Sequence, residues 1–167
     1  NRTDPLVQDT DGDGLSDAFE AITTGTKPVN PNTDGDGCGD AEELLPNHVQ
    51  GGDRNPLDPW DFFDVPVPAL SSTSPNGARN MAVTVADAIA VVYYIGAFDG
   101  GGPNANGVSY NADVNGDGVL DGREYDRNPS SVPGKAWRSG PPNGAVAIQD
   151  AIVLLRQVGD ICLAPTG

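Results

Sequence analysis

Apolar residues return at helical spacing in two places along this chain, and the two places are copies of one another. Asp87-Ala88-Ile89-Ala90-Val91-Val92-Tyr93-Tyr94-Ile95-Gly96 aligns with Asp150-Ala151-Ile152-Val153-Leu154-Leu155-Arg156-Gln157-Val158-Gly159 at a constant offset of 63 residues. Both read as amphipathic helices closed by glycine. The pattern predicts one apolar face made of Ile89, Val92 and Ile95 and another made of Ile152, Leu155 and Val158, packed against each other as core. Two briefer helical turns, AFEAI at 18–22 and AEELL at 41–45, stop at Gly25 and Pro46. From Trp60 to Val67, Trp60, Phe62 and, after a slip, Val65 and Val67 alternate, which predicts an extended strand or a polyproline segment. Its aromatics either cover the side of the preceding residues or form a strand exchanged with a neighbouring subunit.

The polar positions carry a pattern of their own. DTDGDGLSDAFE, from Asp9 to Glu20, recurs as NTDGDGCGDAEE from Asn32 to Glu43, and DVNGDGVLDGRE follows from Asp113 to Glu124. Counting the first residue of each as position 1, oxygen donors fall at positions 1, 3, 5, 7, 9 and 12. In the first loop these are Asp9, Asp11, Asp13, the Leu15 carbonyl, Asp17 and Glu20. In the second they are Asn32, Asp34, Asp36, the Cys38 carbonyl, Asp40 and Glu43. In the third they are Asp113, Asn115, Asp117, the Val119 carbonyl, Asp121 and Glu124. That spacing suits Ca²⁺, which takes six to eight hard oxygens, and the glycines at position 6 (Gly14, Gly37 and Gly118) supply the bend. Three calcium sites are expected. Magnesium resists full dehydration, and zinc would call for more His and Cys than the chain has.

Composition bounds the rest. With 22 Gly and 15 Pro in 167 residues and only 6% aromatics, much of the chain must be turn and loop. The apolar core is thin, so bound metal is expected to contribute folding energy. The ligand positions hold 13 of the 24 carboxylates, and the six charges of three Ca²⁺ would reduce the formal net charge from -15 to -9. The remaining negative charge argues against a nucleic-acid surface. The longest apolar run, Ala88 to Phe98, is about half of a membrane span. Free calcium is plentiful outside cells, so a secreted or cell-surface protein is expected, with the chain as its mature form. Cys38 and Cys162 fit that compartment. They are expected to pair within the chain, the alternatives being a disulfide between subunits or two buried thiols.

The tandem loops, each preceded by a Pro and an aliphatic residue (Pro5-Leu6, Pro28-Val29), resemble thrombospondin type 3 repeats and the similar calcium repeats of bacterial surface proteins. A third start, Asn55-Pro56-Leu57, runs into Trp60-Asp61-Phe62-Phe63 instead of another acidic loop. The resemblance covers residues 1–64 and implies an extracellular, calcium-stiffened array of structural or adhesive use. Residues 76–162 resemble a dockerin, in which two calcium loops lead into helices that start Asp-Ala-Ile. Here the corresponding windows, 76–87 and 139–150, have Ala78 and Pro141 at position 3 and Thr84 and Ala147 at position 9, so they are poor cages. The intact third loop lies instead in a long insertion, Asp99 to Pro142. The pairs Val85-Ala86 and Ile148-Gln149 replace the small polar pair with which dockerins meet cohesins.

The expected fold is therefore mainly irregular with short α-helices: EF-hand-like calcium loops in a tandem array at 1–64, a Pro/Ser-rich linker or extended strand at 65–75, and a dockerin-like two-helix module at 76–167. Catalytic chemistry is not expected. His48 is the only histidine, no nucleophile has a base, and three of the four Glu residues close loops. The expected function is an extracellular calcium-binding structural or assembly module forming a homo-oligomer or polymer, or attached to a surface. The alternative is a dockerin-like module that binds a cohesin-like protein.

Overall fold

The computed structural model describes residues 2–73 and 75–163. The chain divides into two compact units: the first runs up to Phe62 and takes back the stretch from Asp160, and the second is Phe63–Gly159. As the composition requires, most of both units is turn and loop, with a few short helices.

In the first unit, helix α1 (Asp17–Phe19) continues into a π-helical turn, Glu20–Thr24, and α2 (Asp40–Glu43) follows the second acidic loop. Ser16 caps α1 by accepting a hydrogen bond from the Phe19 N–H, and Gly25, at φ 78°, ends the π-turn with its N–H on the Glu20 carbonyl. Apolar burial contributes little, since Leu6 and Ile22 are 93% and 83% exposed. Polar ties take its place. Cys38 and Cys162 form the expected disulfide within the chain. The buried Arg54 guanidinium lies 5.0 Å from the Phe62 ring and donates at 2.8 Å to Asp160, whose other oxygen is 3.4 Å from His48 Nδ1. The Ile161 N–H donates to the Val49 carbonyl at 2.9 Å, which fixes the returning strand of chain beside residues 48–50.

The second unit holds α3 (Val85–Tyr94), α4 (Asp121–Tyr125), the two-residue strands β1 (Asn128–Pro129) and β2 (Ser139–Gly140), and α5 (Ile148–Leu155). β1 and β2 pair antiparallel, Asn128 opposite Gly140, inside the long insertion. The stretch Trp60–Val67 forms no strand. Its ladder is limited to one bridge, Val67 with Ala78, while Phe63 and Val65 are fully buried in this unit. Two tyrosines from distant parts of the sequence fill the centre. Tyr94 and Tyr125 stack with ring centroids 4.0 Å apart, and their hydroxyls donate to the carbonyls of Leu70 (2.6 Å) and Pro66 (3.0 Å).

Helices α3 and α5 pack against each other as expected, but on a different face from the one the pattern suggested. Ile89 (65%), Val92 (50%), Ile152 (40%), Leu155 (55%) and Val158 (39%) are exposed. The buried positions are instead Asp87, Ala90, Val91 and Tyr94 in α3, and Asp150, Val153 and Leu154 in α5 with Gln157 in the turn that follows it. Both sets follow the i, i+3, i+4, i+7 spacing of one helical face, and an aspartate leads each. Asp87 accepts hydrogen bonds from the N–H groups of Thr84 (2.7 Å) and Val65 (3.3 Å), and Asp150 from those of Ala147 (2.7 Å) and Arg127 (2.6 Å). Anchoring these buried carboxylates rotates each helix so that its bulkier aliphatic residues face outward.

The windows ahead of these helices are held by a second pair of aspartates. Asp64 accepts from the N–H groups of Asn80 (2.9 Å) and Met81 (2.6 Å), and Asp126 from those of Asn143, Gly144 and Ala145 at 3.1, 2.7 and 3.0 Å. In both copies a carboxylate sits on the turn's backbone N–H groups, the reverse of the charge arrangement a cation loop needs.

Candidate metal centres

All three acidic loops follow the same backbone path. In each, the N–H at position 9 donates to the carbonyl just before position 1: Asp17 to Gln8 (3.0 Å), Asp40 to Pro31 (3.0 Å) and Asp121 to Ala112 (2.7 Å). The position 1 side chains, Asp9, Asn32 and Asp113, accept from the glycine N–H at position 4 at 2.7–2.8 Å. At position 5, Asp13, Asp36 and Asp117 accept from the N–H at position 7, which belongs to Leu15, Cys38 and Val119. These short Asx turns bend the chain so that successive side chains face one centre.

The position 9 aspartates serve this path. Both oxygens of Asp17 accept from Thr10, one from its N–H and one from its hydroxyl, each at 2.8 Å. Asp40 makes the same clasp on Thr33 at 2.7 and 2.8 Å. In the third loop Val114 replaces the threonine, so Asp121 accepts from the Val114 N–H, and its second oxygen lies 3.2 Å from the Tyr94 hydroxyl, whose proton goes to the closer Leu70 carbonyl.

The first two loops gather oxygens that have no donor. Asp9, Asp11 and Asp13 place one carboxylate oxygen each within 4.8 Å of one another, as do Asp13, Glu20 and Asp40, and likewise Asp34, Asp36 and Glu43. Within these groups Asp11 Oδ2, Asp13 Oδ2, Glu20 Oε2, Asp34 Oδ2, Asp36 Oδ2 and both Glu43 oxygens are buried without a hydrogen-bond partner. Burial, reinforced by the charges of Asp11 and Asp13, pushes Glu20 up to about 7. Burial likewise pushes Asp34 up to about 6. Asp36 is raised by burial first and by the Asp34 charge next, and Glu43 by burial first and then by the charges of Asp36 and Asp34. A converging set of hard, donor-free oxygens that resist ionisation in one another's presence is matched by a bound divalent cation, which replaces the missing donors and offsets the repulsion.

The third loop differs. Among the described residues, none of the three converging groups includes Asp113, Asp117 or Glu124. The Asn115 amide donates to Asp117 Oδ2 at 3.0 Å, and Arg79 stands 3.5 Å from the buried Glu124. Burial raises Glu124 to about 8, against the opposing pull of Arg79, and its Oε2 has no hydrogen-bond partner. Gly122 is required for close packing here, because a Cβ would fall 2.2 Å from the Tyr110 ring.

The model of the bacterial TSP3 repeat matches residues 9–31. This stretch is a bacterial TSP3 repeat. The match implies calcium binding by loop one, and its open carboxylates fit that ion. Loop two copies the hydrogen bonds of loop one at Thr33, Asp34, Asp36 and Asp40. No curated protein and no solved structure matches the chain. The TSP3 match does not reach residues 76–162, where likeness to dockerins stays an expectation.

Several residues of these centres escaped the reading of the ligand spacing. Thr10 and Thr33 at position 2 hold the position 9 carboxylates, and Thr26 donates its hydroxyl to Glu20 at 3.2 Å. The Thr shared by DTDGDG and NTDGDG, and absent from DVNGDG, was the available signal.

Proposed function

We propose that the chain is an extracellular structural module, stabilised by calcium, that associates with further copies of itself through α3 and α5. The observation that carries this reading is the matched pair of exposed apolar stripes: Val85, Ile89 and Val92 on one helix, and Ile148, Ile152 and Leu155 at the same repeat positions on the other. Six such side chains left in water on two short helices are more than isolated surface aliphatics, and exposed apolar patches mark association surfaces. A groove of about 440 Å³, lined by Val67, Pro68, Ala86, Ile89 and Tyr93, extends the first stripe. The repeat at 9–31 supports an extracellular location, and among the described residues no helix is long and apolar enough to cross a membrane. In this reading the chain has no catalytic task, and His48 serves with Arg54 to hold Asp160.

Light scattering and electron microscopy in millimolar calcium test it. Oligomers or filaments are expected from the natural chain, and Ile89→Glu with Ile152→Glu should return it to monomers while leaving the helices folded. A natural chain that stays monomeric at high concentration and captures a cohesin-like domain would replace this reading with the dockerin-like one, which the repeated Asp-Ala-Ile helix starts favour.

A further inference from the structure

Asp40 lies in the second acidic loop, yet the converging group it joins is completed by Asp13 and Glu20 of the first. Glu20 is fully buried and its Oε2 has no hydrogen-bond partner, while its Oε1 takes only the Thr26 hydroxyl. Asp40 is equally buried, and the two bonds from Thr33 fix its carboxylate in place. Each of its oxygens retains a second lone pair. We infer that Asp40 is a ligand to the cation of loop one, lent by loop two, so that the first calcium site is complete only when the following repeat is folded against it.

The start of the next repeat repeats the device. Asp61 accepts from the Asn55 N–H at 2.8 Å, as Asp40 does from Thr33, and its charge acts on Asp36 and Glu43 of loop two. The truncated third start, Asn55 to Asp61, thus carries a backbone-held aspartate within electrostatic reach of loop two. Because an ion at the first site holds part of the second loop, occupancy of either site favours the other by the same factor.

This inference rests on the calcium reading of loop one, and its test separates the two. In the full-length ¹⁵N-labelled chain the Gly14 and Gly37 amides report the first and second loops during a calcium titration. Asp40→Asn keeps an oxygen for the Thr33 N–H and removes the charge; it should raise the calcium midpoint at Gly14 on the order of tenfold. Thr33→Val weakens the clasp but keeps the carboxylate, and should leave the Gly14 midpoint within about twofold. A Gly14 midpoint untouched by Asp40→Asn, or moved as far by Thr33→Val, overturns the assignment while leaving the calcium reading intact. A Gly14 amide in the natural chain that ignores calcium overturns both. Should Asp40→Asn not fold, a calcium-loaded crystal of the natural chain decides: an Asp40 oxygen about 2.3–2.6 Å from the ion beside Asp13 and Glu20 sustains the inference, and a longer separation removes it.

Discussion

Met81 and Gly144 occupy equivalent places in the internal repeat of the second unit, and both have left-handed backbone, with φ of 63° and 94°. Each donates its N–H to an anchoring aspartate, Asp64 or Asp126, and that bond fixes the turn in this conformation. Gly144 bears it without strain, and space is not the issue, since an added Cβ would meet only the Asp99 Cβ at 3.8 Å. Gly144→Ala should therefore destabilise the protein by roughly 1–2 kcal/mol through backbone strain alone, read from urea denaturation at constant slope.

Calcium should raise the melting temperature without a plateau set by stoichiometric binding. For extracellular modules with dissociation constants of roughly 10⁻⁴ to 10⁻³ M, millimolar calcium adds about 0.4–1.4 kcal/mol per site. Differential scanning calorimetry across a calcium series, with chelator as the zero point, checks this. A melting temperature indifferent to calcium would leave the open carboxylates of Asp34, Asp36 and Glu43 without their explanation.

Asp64 makes the metal-free protein pH-dependent in an unusual direction. Burial, followed by the neighbouring Asp87 carboxylate, pushes Asp64 up to about 7. The folded protein then keeps a proton that the unfolded chain has already released near pH 4. Stability is full below that value and is lost as pH rises through about 7. In chelator, the melting temperature should fall between pH 5 and pH 8. Asp64→Asn retains an acceptor for the Asn80 and Met81 N–H groups without the charge, and should flatten that fall. With calcium present the first unit runs the other way, because protons compete with the ion at Glu20 and Asp34 as pH drops through about 7 and 6.

Replacing Cys38 and Cys162 by alanine together should cost up to about 5 kcal/mol, the chain-entropy value for closing so long a loop across a sequence separation of 124. The loss should be largest in chelator, where the first unit has neither cross-link nor ion. Chemical denaturation of the natural and double-variant chains in both conditions measures it.

The acidic loops and the two longer helices were legible because their spacing follows from local geometry: alternate oxygens for an ion, and a repeat offset of 63 for the helices. The buried helix face was not legible. Asp87 and Asp150 read only as helix starts, and the distant N–H groups of Val65 and Arg127 that help hold them inward leave no mark in the helix spacing. Asp64 and Asp126 were invisible for the same reason, since the backbone they hold lies 16 to 19 residues further on. Asp40 could be read as a loop residue, but its meeting with Glu20 depends on how one repeat folds back on the previous one. Such contacts leave no mark in the spacing of either loop.

The bond between Cys38 and Cys162 makes a covalent ring of everything from the second acidic loop to the returning chain end. A protease that cuts once inside that ring, for instance in the exposed stretch 131–134, leaves both fragments tethered. Damage of this kind outside the cell would become visible on a gel only after a reductant is added, and the nicked molecule would retain its full mass in solution.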